Sequence, residues 1–129
     1  MAIIWFNEKP KEGVVTIAQG HLTLNKPATT FFESAYSVML GIDPDDKKVI
    51  IKPLDKATAL RHDIPDTKKY RITVRSSYSR ITNKAFVEEL TGLFNLDFKN
   101  ETIKFPAEWD NKQKVLVINM KEEIKWTKF

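Results

Sequence analysis

Apolar and polar positions alternate in short runs along most of the chain, and Gly, Pro, Asn and Asp separate the runs. Val14–Ala18 and His21–Leu24 flank Gln19–Gly20, which predicts a tight hairpin in which glycine supplies the positive φ. Asn25–Lys26–Pro27 breaks the second strand. From Ala28 to Leu40, Phe31, Phe32, Ala35, Val38 and Met39 recur at helical spacing, and Gly41 supplies a stop, so the pattern predicts a helix there. Asp43–Pro44–Asp45–Asp46 predicts a turn, and Val49–Lys52 a strand that ends at Pro53. Asp55 is placed to cap a short helix from Lys56 to about His62, closed by Ile64–Pro65.

The second half opens on Tyr70, Ile72 and Val74 alternating with Arg71, Thr73 and Arg75, as a half-buried strand does. One face is apolar and the other carries guanidinium groups. Beyond Ser76–Ser79 the chain resumes with Arg80–Lys84, and Ala85 to about Gly92 reads as a short helix burying Phe86, Leu90 and Leu93. Strands follow around Glu101–Phe105 and Lys114–Asn119, separated by Trp109–Asp110–Asn111–Lys112. Ile3–Phe6 and Ile124–Phe129 are expected either to add terminal strands or to dock aromatics on the core. The two halves repeat an order of strand, turn, strand, helix and two strands. Leu22–Thr23–Leu24–Asn25–Lys26 before the first helix echoes Arg80–Ile81–Thr82–Asn83–Lys84 before the second. The reading is therefore a strand-rich α+β fold, a single compact domain of residues 1–129. Two βαββ-like pseudo-repeats, about 13–54 and 69–121, are joined by a linker with a short helix over 55–68.

The 129 residues include no cysteine, which removes disulfides, thiolate metal sites and cysteine nucleophiles and suits a reducing compartment. The run Ala2–Phe6 is too short for a signal-peptide core or a membrane span, and no later stretch approaches eighteen apolar residues, so a soluble cytoplasmic protein without a membrane partner is expected. Enzyme motifs are missing: His21 and His62 have no nucleophile near them in sequence, and the acid run at Asp43–Asp46 lacks the spacing of a calcium loop. Glu88 and Glu89 point about 100° apart on a helix, and the glycines are scattered rather than gathered in a phosphate loop. No catalytic residue, cofactor or metal is expected.

Charge is informative through its distribution. Residues 67–87 hold Lys68, Lys69, Arg71, Arg75, Arg80 and Lys84 and no acid, whereas the net charge of the whole chain is only +4. A cluster of this kind attracts a polyanion, although a solvated edge strand has the same composition.

The stretch GHLTLNKPATTFFESAYSVMLGIDPDDKKVIIKPL resembles the AbrB-type pattern of glycine, basic residue, alternating strand, helix, Leu-Gly-Ile, acidic turn and apolar strand. SRITNKAFVEELTGLF resembles the corresponding segment of an MraZ half, and two such halves in one chain resemble MraZ. The likeness runs from about Gly13 to Met120. It departs from the signature where His21 stands for arginine in the first copy, and where Ser79 and Lys84 stand for glycine and proline in the second. The resemblance implies a swapped-hairpin barrel, binding of double-stranded DNA, transcription regulation and homo-oligomerisation. The residues expected at the DNA are Lys69, Arg71, Arg75, Ser77, Arg80 and Lys84, with Ser76, Tyr78, Ser79 and Thr82 as further hydroxyl donors and His21 and Lys26 joining from the first half. The alternative is a non-enzymatic interaction or assembly module in which Trp5, Trp109, Trp126 and the aromatic termini form a partner surface.

Overall fold

A computed structural model describes residues 2–6, 12–61 and 64–124. The described residues form eight antiparallel strands: β1 (Gly13–Ala18), β2 (His21–Leu24), β3 (Ser37–Asp43), β4 (Lys48–Leu54), β5 (Thr73–Val74), β6 (Ser79–Thr82), β7 (Ile103–Asp110) and β8 (Val115–Asn119). They lie in one sheet in the order β3-β4-β8-β7-β1-β2-β6-β5. Short helices α1 (Lys26–Thr29) and α2 (Lys56–Ala59) and the longer α3 (Lys84–Phe94) fill the connections. The sheet curls into a half-barrel. Its edges meet at one residue pair, where Val38 N donates to Tyr70 O at 2.9 Å and Tyr70 N donates to Val38 O at 2.8 Å.

Alternation decides which side of each strand is covered. Val15, Ile17, Leu22, Leu24, Ile81 and Phe105 are almost wholly buried on the concave side, and each such side chain contributes roughly 1.5–3 kcal/mol when taken from water. Phe32, Val87 and Leu90 descend onto this core from the connections. Gly13 is required where β1 crosses β7, because a Cβ there would stand 2.8 Å from the Ala107 carbonyl oxygen. Gly20 turns the β1–β2 hairpin at φ 86°, a conformation that costs glycine little.

Polar side chains punctuate the elements. Asn25 accepts from Ala28 N at 3.2 Å and caps α1, Asp55 accepts from Thr58 N at 2.7 Å and caps α2, and Asn83 accepts from Phe86 N at 3.0 Å and caps α3. The Thr58 N–H also holds the Asp55 carboxyl below its ordinary pKa. Asp43 accepts from Asp46 N in the β3–β4 turn, and Asp110 accepts from Lys112 N and Gln113 N in the β7–β8 turn. Lys47 and Lys114 close these turns at φ 53° and 57°.

Several expected elements differ. The helix predicted over Ala28–Leu40 is a single turn, Lys26–Thr29, continued by a 3-10 turn to Phe32, and Ser37–Asp43 is a strand. Val38, Leu40 and Ile42 also alternate, and pairing β3 with β4 satisfies backbone groups that a longer helix would have satisfied alone. Pro53 lies within β4 rather than ending it. The predicted Tyr70–Arg75 strand keeps its alternation of burial but pairs with β6 only at Thr73–Val74. The second helix runs longer than expected, to Phe94, and closes at Asn95 in the left-handed conformation. Leu93 is half exposed, and Val87 takes the buried place expected for it. Among the described residues Ile3–Phe6 neither pairs nor docks: Ile4 and Phe6 are over nine-tenths exposed. Ile124 bridges Lys104, while residues 125–129, with Trp126, lie outside the described residues, as does His62.

Asn25 does more than cap. It also accepts from Val14 N at 3.0 Å and donates to Glu12 O at 3.0 Å, tying α1 to the start of β1. Asn25→Ala is expected to cost about 2 kcal/mol in urea unfolding, against about 1 kcal/mol for Asn83→Ala, which loses a cap alone. Equal losses would show that the strand-side bonds of Asn25 contribute nothing.

Candidate nucleic-acid interface

The convex face of the sheet is built by the residues that alternate with the core positions. Thr73 lies opposite Arg80, Arg80 opposite Thr23, Thr23 opposite Thr16 and Thr16 opposite Lys104, which makes one row across β5, β6, β2, β1 and β7. Directly opposed residues share a face, so three hydroxyls and two cations lie along this row. Arg80 stands between Thr73 and Thr23. Its Nε donates to Thr23 Oγ1 at 3.3 Å, and its guanidinium carbon stands 5.7 Å from the centroid of the Tyr78 ring. The ring and the hydroxyl hold the side chain along the sheet while leaving the remaining guanidinium N–H groups for another acceptor.

Arg71 and Arg75 have the same phase as Thr73 and are exposed. His21 lies opposite Thr82, half-buried on the same face. Ser77 is exposed at the tip of the β5–β6 hairpin, where Arg75 N donates to Tyr78 O at 2.8 Å. Lys26 and Lys84 are the first residues of α1 and α3. Because β2 and β6 are antiparallel, these two lysines stand at opposite ends of the pair, and Lys84 borders a cleft of about 200 Å³ beside Gln19 and Gly20. Among the described residues, ion pairs join Lys48 to Asp46 at 3.7 Å and Lys69 to Asp66 at 3.2 Å, and neither includes Arg71, Arg75, Arg80, Lys26 or Lys84.

Two expected members depart from this face. Lys69 turns inward toward the turn before it, with its Nζ on Asp66 Oδ1 and 3.4 Å from Arg61 O. Its charge is already shared with an acid. Ser79, expected among the hydroxyl donors, is fully buried and shares a 2.9 Å hydrogen bond with the hydroxyl of Thr29, which itself donates to Leu24 O at 3.2 Å. Ser79 is on the core phase of β6, one residue out of step with Arg80. Thr16, Thr23 and Thr73 are on the face without being among the expected residues. Their signal is present in the outward phase of each strand, but it acquires meaning only when the strands are laid side by side.

Among the described residues there is no group of three or more His, Asp and Glu arranged to hold a metal ion, and no helix long and apolar enough to cross a membrane. Comparison with protein-family models, with curated proteins and with solved structures finds no match to this chain.

The two serines separate folding from surface chemistry. Ser79→Ala is expected to cost about 1 kcal/mol in urea unfolding through the lost hydrogen bond, whereas Ser77→Ala should stay within about 0.5 kcal/mol of the parent. A neutral Ser79→Ala would mean that the buried Thr29 hydroxyl is satisfied by the Leu24 carbonyl alone.

Proposed function

We propose that the protein binds double-stranded DNA through the convex face of β2, β5 and β6, and that it acts in transcription regulation. The observation that carries this reading is the exposed set Arg71, Arg75 and Arg80, unpaired with acid among the described residues and set among the Thr73 and Thr23 hydroxyls. Guanidinium groups present forked donors to phosphate oxygens, and hydroxyls add shorter hydrogen bonds. Arg71 and Arg75 are four residues apart, about 13 Å at strand rise, close to the ~12 Å width of a B-form major groove.

The swapped-hairpin, two-unit architecture belongs to the same proposal. Exchanging β1–β4 for β5–β8 maps the strand order onto itself: β2 pairs β6, β4 pairs β8, and the β1–β7 ladder has its counterpart in the bridge between Val38 of β3 and Tyr70, just before β5. The asparagine caps at Asn25 and Asn83 correspond, and so do the Asp43 and Asp110 turns with left-handed Lys47 and Lys114. These correspondences support descent from a repeated unit of the AbrB and MraZ type, with a cytoplasmic setting and self-association as parts of that reading.

The test is fluorescence anisotropy against random duplex DNA over a range of salt. Binding should weaken as salt rises, and Arg71→Gln/Arg75→Gln/Arg80→Gln should lower the salt slope by roughly 2.7, about 0.9 for each phosphate no longer neutralised. An unchanged titration by the folded triple variant would remove the interface.

A second reading is favoured by one observation. Ile3, Ile4, Trp5 and Phe6 are between 65% and 95% exposed, an apolar segment of the sort that an assembly surface covers. Trp109, in contrast, packs within the chain, stacked on Phe31 at 4.5 Å and edge-on to Phe32 at 6.3 Å. Self-assembly through the exposed segment predicts that light scattering reports a mass rising with concentration, and that Trp5→Ser/Phe6→Ser returns it to the monomer value. A strictly monomeric parent protein rules this reading out.

A further inference from the structure

At the border of the DNA-facing surface, with which it shares Arg71, the seam where the sheet edges meet opens a cleft of about 460 Å³ between the start of β3, the end of α2 and the segment that leads into β5. That volume lies within the range of small-molecule sites. Its walls are Tyr36, Leu60 and Tyr70, and Tyr36 and Leu60 are more than half exposed. Lys69 and Arg71 bring positive charge to it, and the single acid, Asp66, is already paired with Lys69 at 3.2 Å. A lysine ammonium has three donors, and those of Lys69 are directed to Asp66 and the Arg61 carbonyl, which leaves one. Arg71 is exposed and in no ion pair among the described residues.

Ser37 lies beneath the cleft. The residue is 8% exposed and lines the cleft, and its hydroxyl is buried without a hydrogen-bond partner among the described residues. Buried hydroxyls in folded proteins are almost always satisfied, and one left without a protein partner asks what else meets it. A donor hydroxyl, a guanidinium and an ammonium beside apolar walls match one ligand chemistry: an anionic head on an apolar body.

We propose that this cleft binds a small organic anion, a carboxylate or phosphate group carried on an aromatic or aliphatic body. The head is held by Arg71 and the free donor of Lys69, and the buried Ser37 hydroxyl turns outward to donate to it. The body lies against Tyr36, Leu60 and Tyr70. Arg71 is common to this site and the duplex-binding face, but Ser37, Tyr36 and Leu60 take no part in the latter, so the two readings are separable.

The test is a two-dimensional NMR titration with phenyl phosphate, benzoate and inorganic phosphate as separate probes. Saturable shifts are expected at the amides of Ser37, Leu60, Tyr70 and Arg71. The preferred aromatic probe should bind about tenfold more tightly than inorganic phosphate, and comparing phenyl phosphate with benzoate identifies the head group. Arg71→Gln should weaken binding by roughly tenfold and Ser37→Ala by several-fold, without lowering the melting temperature. Ser37→Ala should leave duplex titrations unchanged, so the two readings fail separately. Shifts that do not saturate, that map elsewhere, that are equal for inorganic phosphate and the aromatic probes, or that are indifferent to Ser37→Ala would overturn the site.

Discussion

The ladder between β2 and β6 is the constraint on which the rest of the molecule depends. It joins a hairpin from the first half to one from the second, pairing His21 with Thr82, Leu22 with Ile81, Thr23 with Arg80 and Leu24 with Ser79. Because side chains alternate across a sheet, a slip of one residue would exchange the two faces. Ile81 and Ser79 would then face solvent, and Arg80 would enter a core that offers it no counter-charge. Burying an unpaired guanidinium costs far more than any one new packing interaction could return, so the core and the convex face enforce the same register. The Ser79–Thr29 hydrogen bond adds a polar lock on the buried side.

The same logic extends around the curl. Backbone groups at the edges of a sheet need partners or water, and the Val38–Tyr70 pair gives both edges one point of closure. It also sets β3 and α2 beside the segment that leads to β5. The seam is where strand pairing is shortest and where a cleft opens, lined by side chains from chain segments that do not neighbour each other in sequence. Closure by a single pair leaves room that a continuous ladder would fill.

The proposed two-unit reading and the convex cationic face are connected through topology. Strands of the first and second halves of the chain pair at β2–β6 and at β4–β8, so an outward position in one half lies beside an outward position in the other. The second half contributes guanidinium groups there and the first mainly hydroxyls and His21.

Local pattern by itself determined the β1–β2 hairpin, the helix-capping place of Asp55, the alternation of Arg71, Thr73 and Arg75, and the charge cluster around them. Each is a matter of neighbouring residues: a turn that needs glycine, a side chain that reaches an N–H three residues on, or an alternation of two. Tertiary structure decided the rest. The segment Ser37–Asp43 satisfies helical and strand periods together, and only its partner strand selects between them. Lys69 and Ser79 read as surface donors until Asp66 and Thr29 are seen beside them. The unpartnered Ser37 hydroxyl has no signature in sequence, because satisfaction of a polar atom depends on what folds against it from elsewhere in the chain. Local order follows from short-range sterics and hydrogen bonding, whereas a site is a coincidence of distant residues that the sheet register alone brings about.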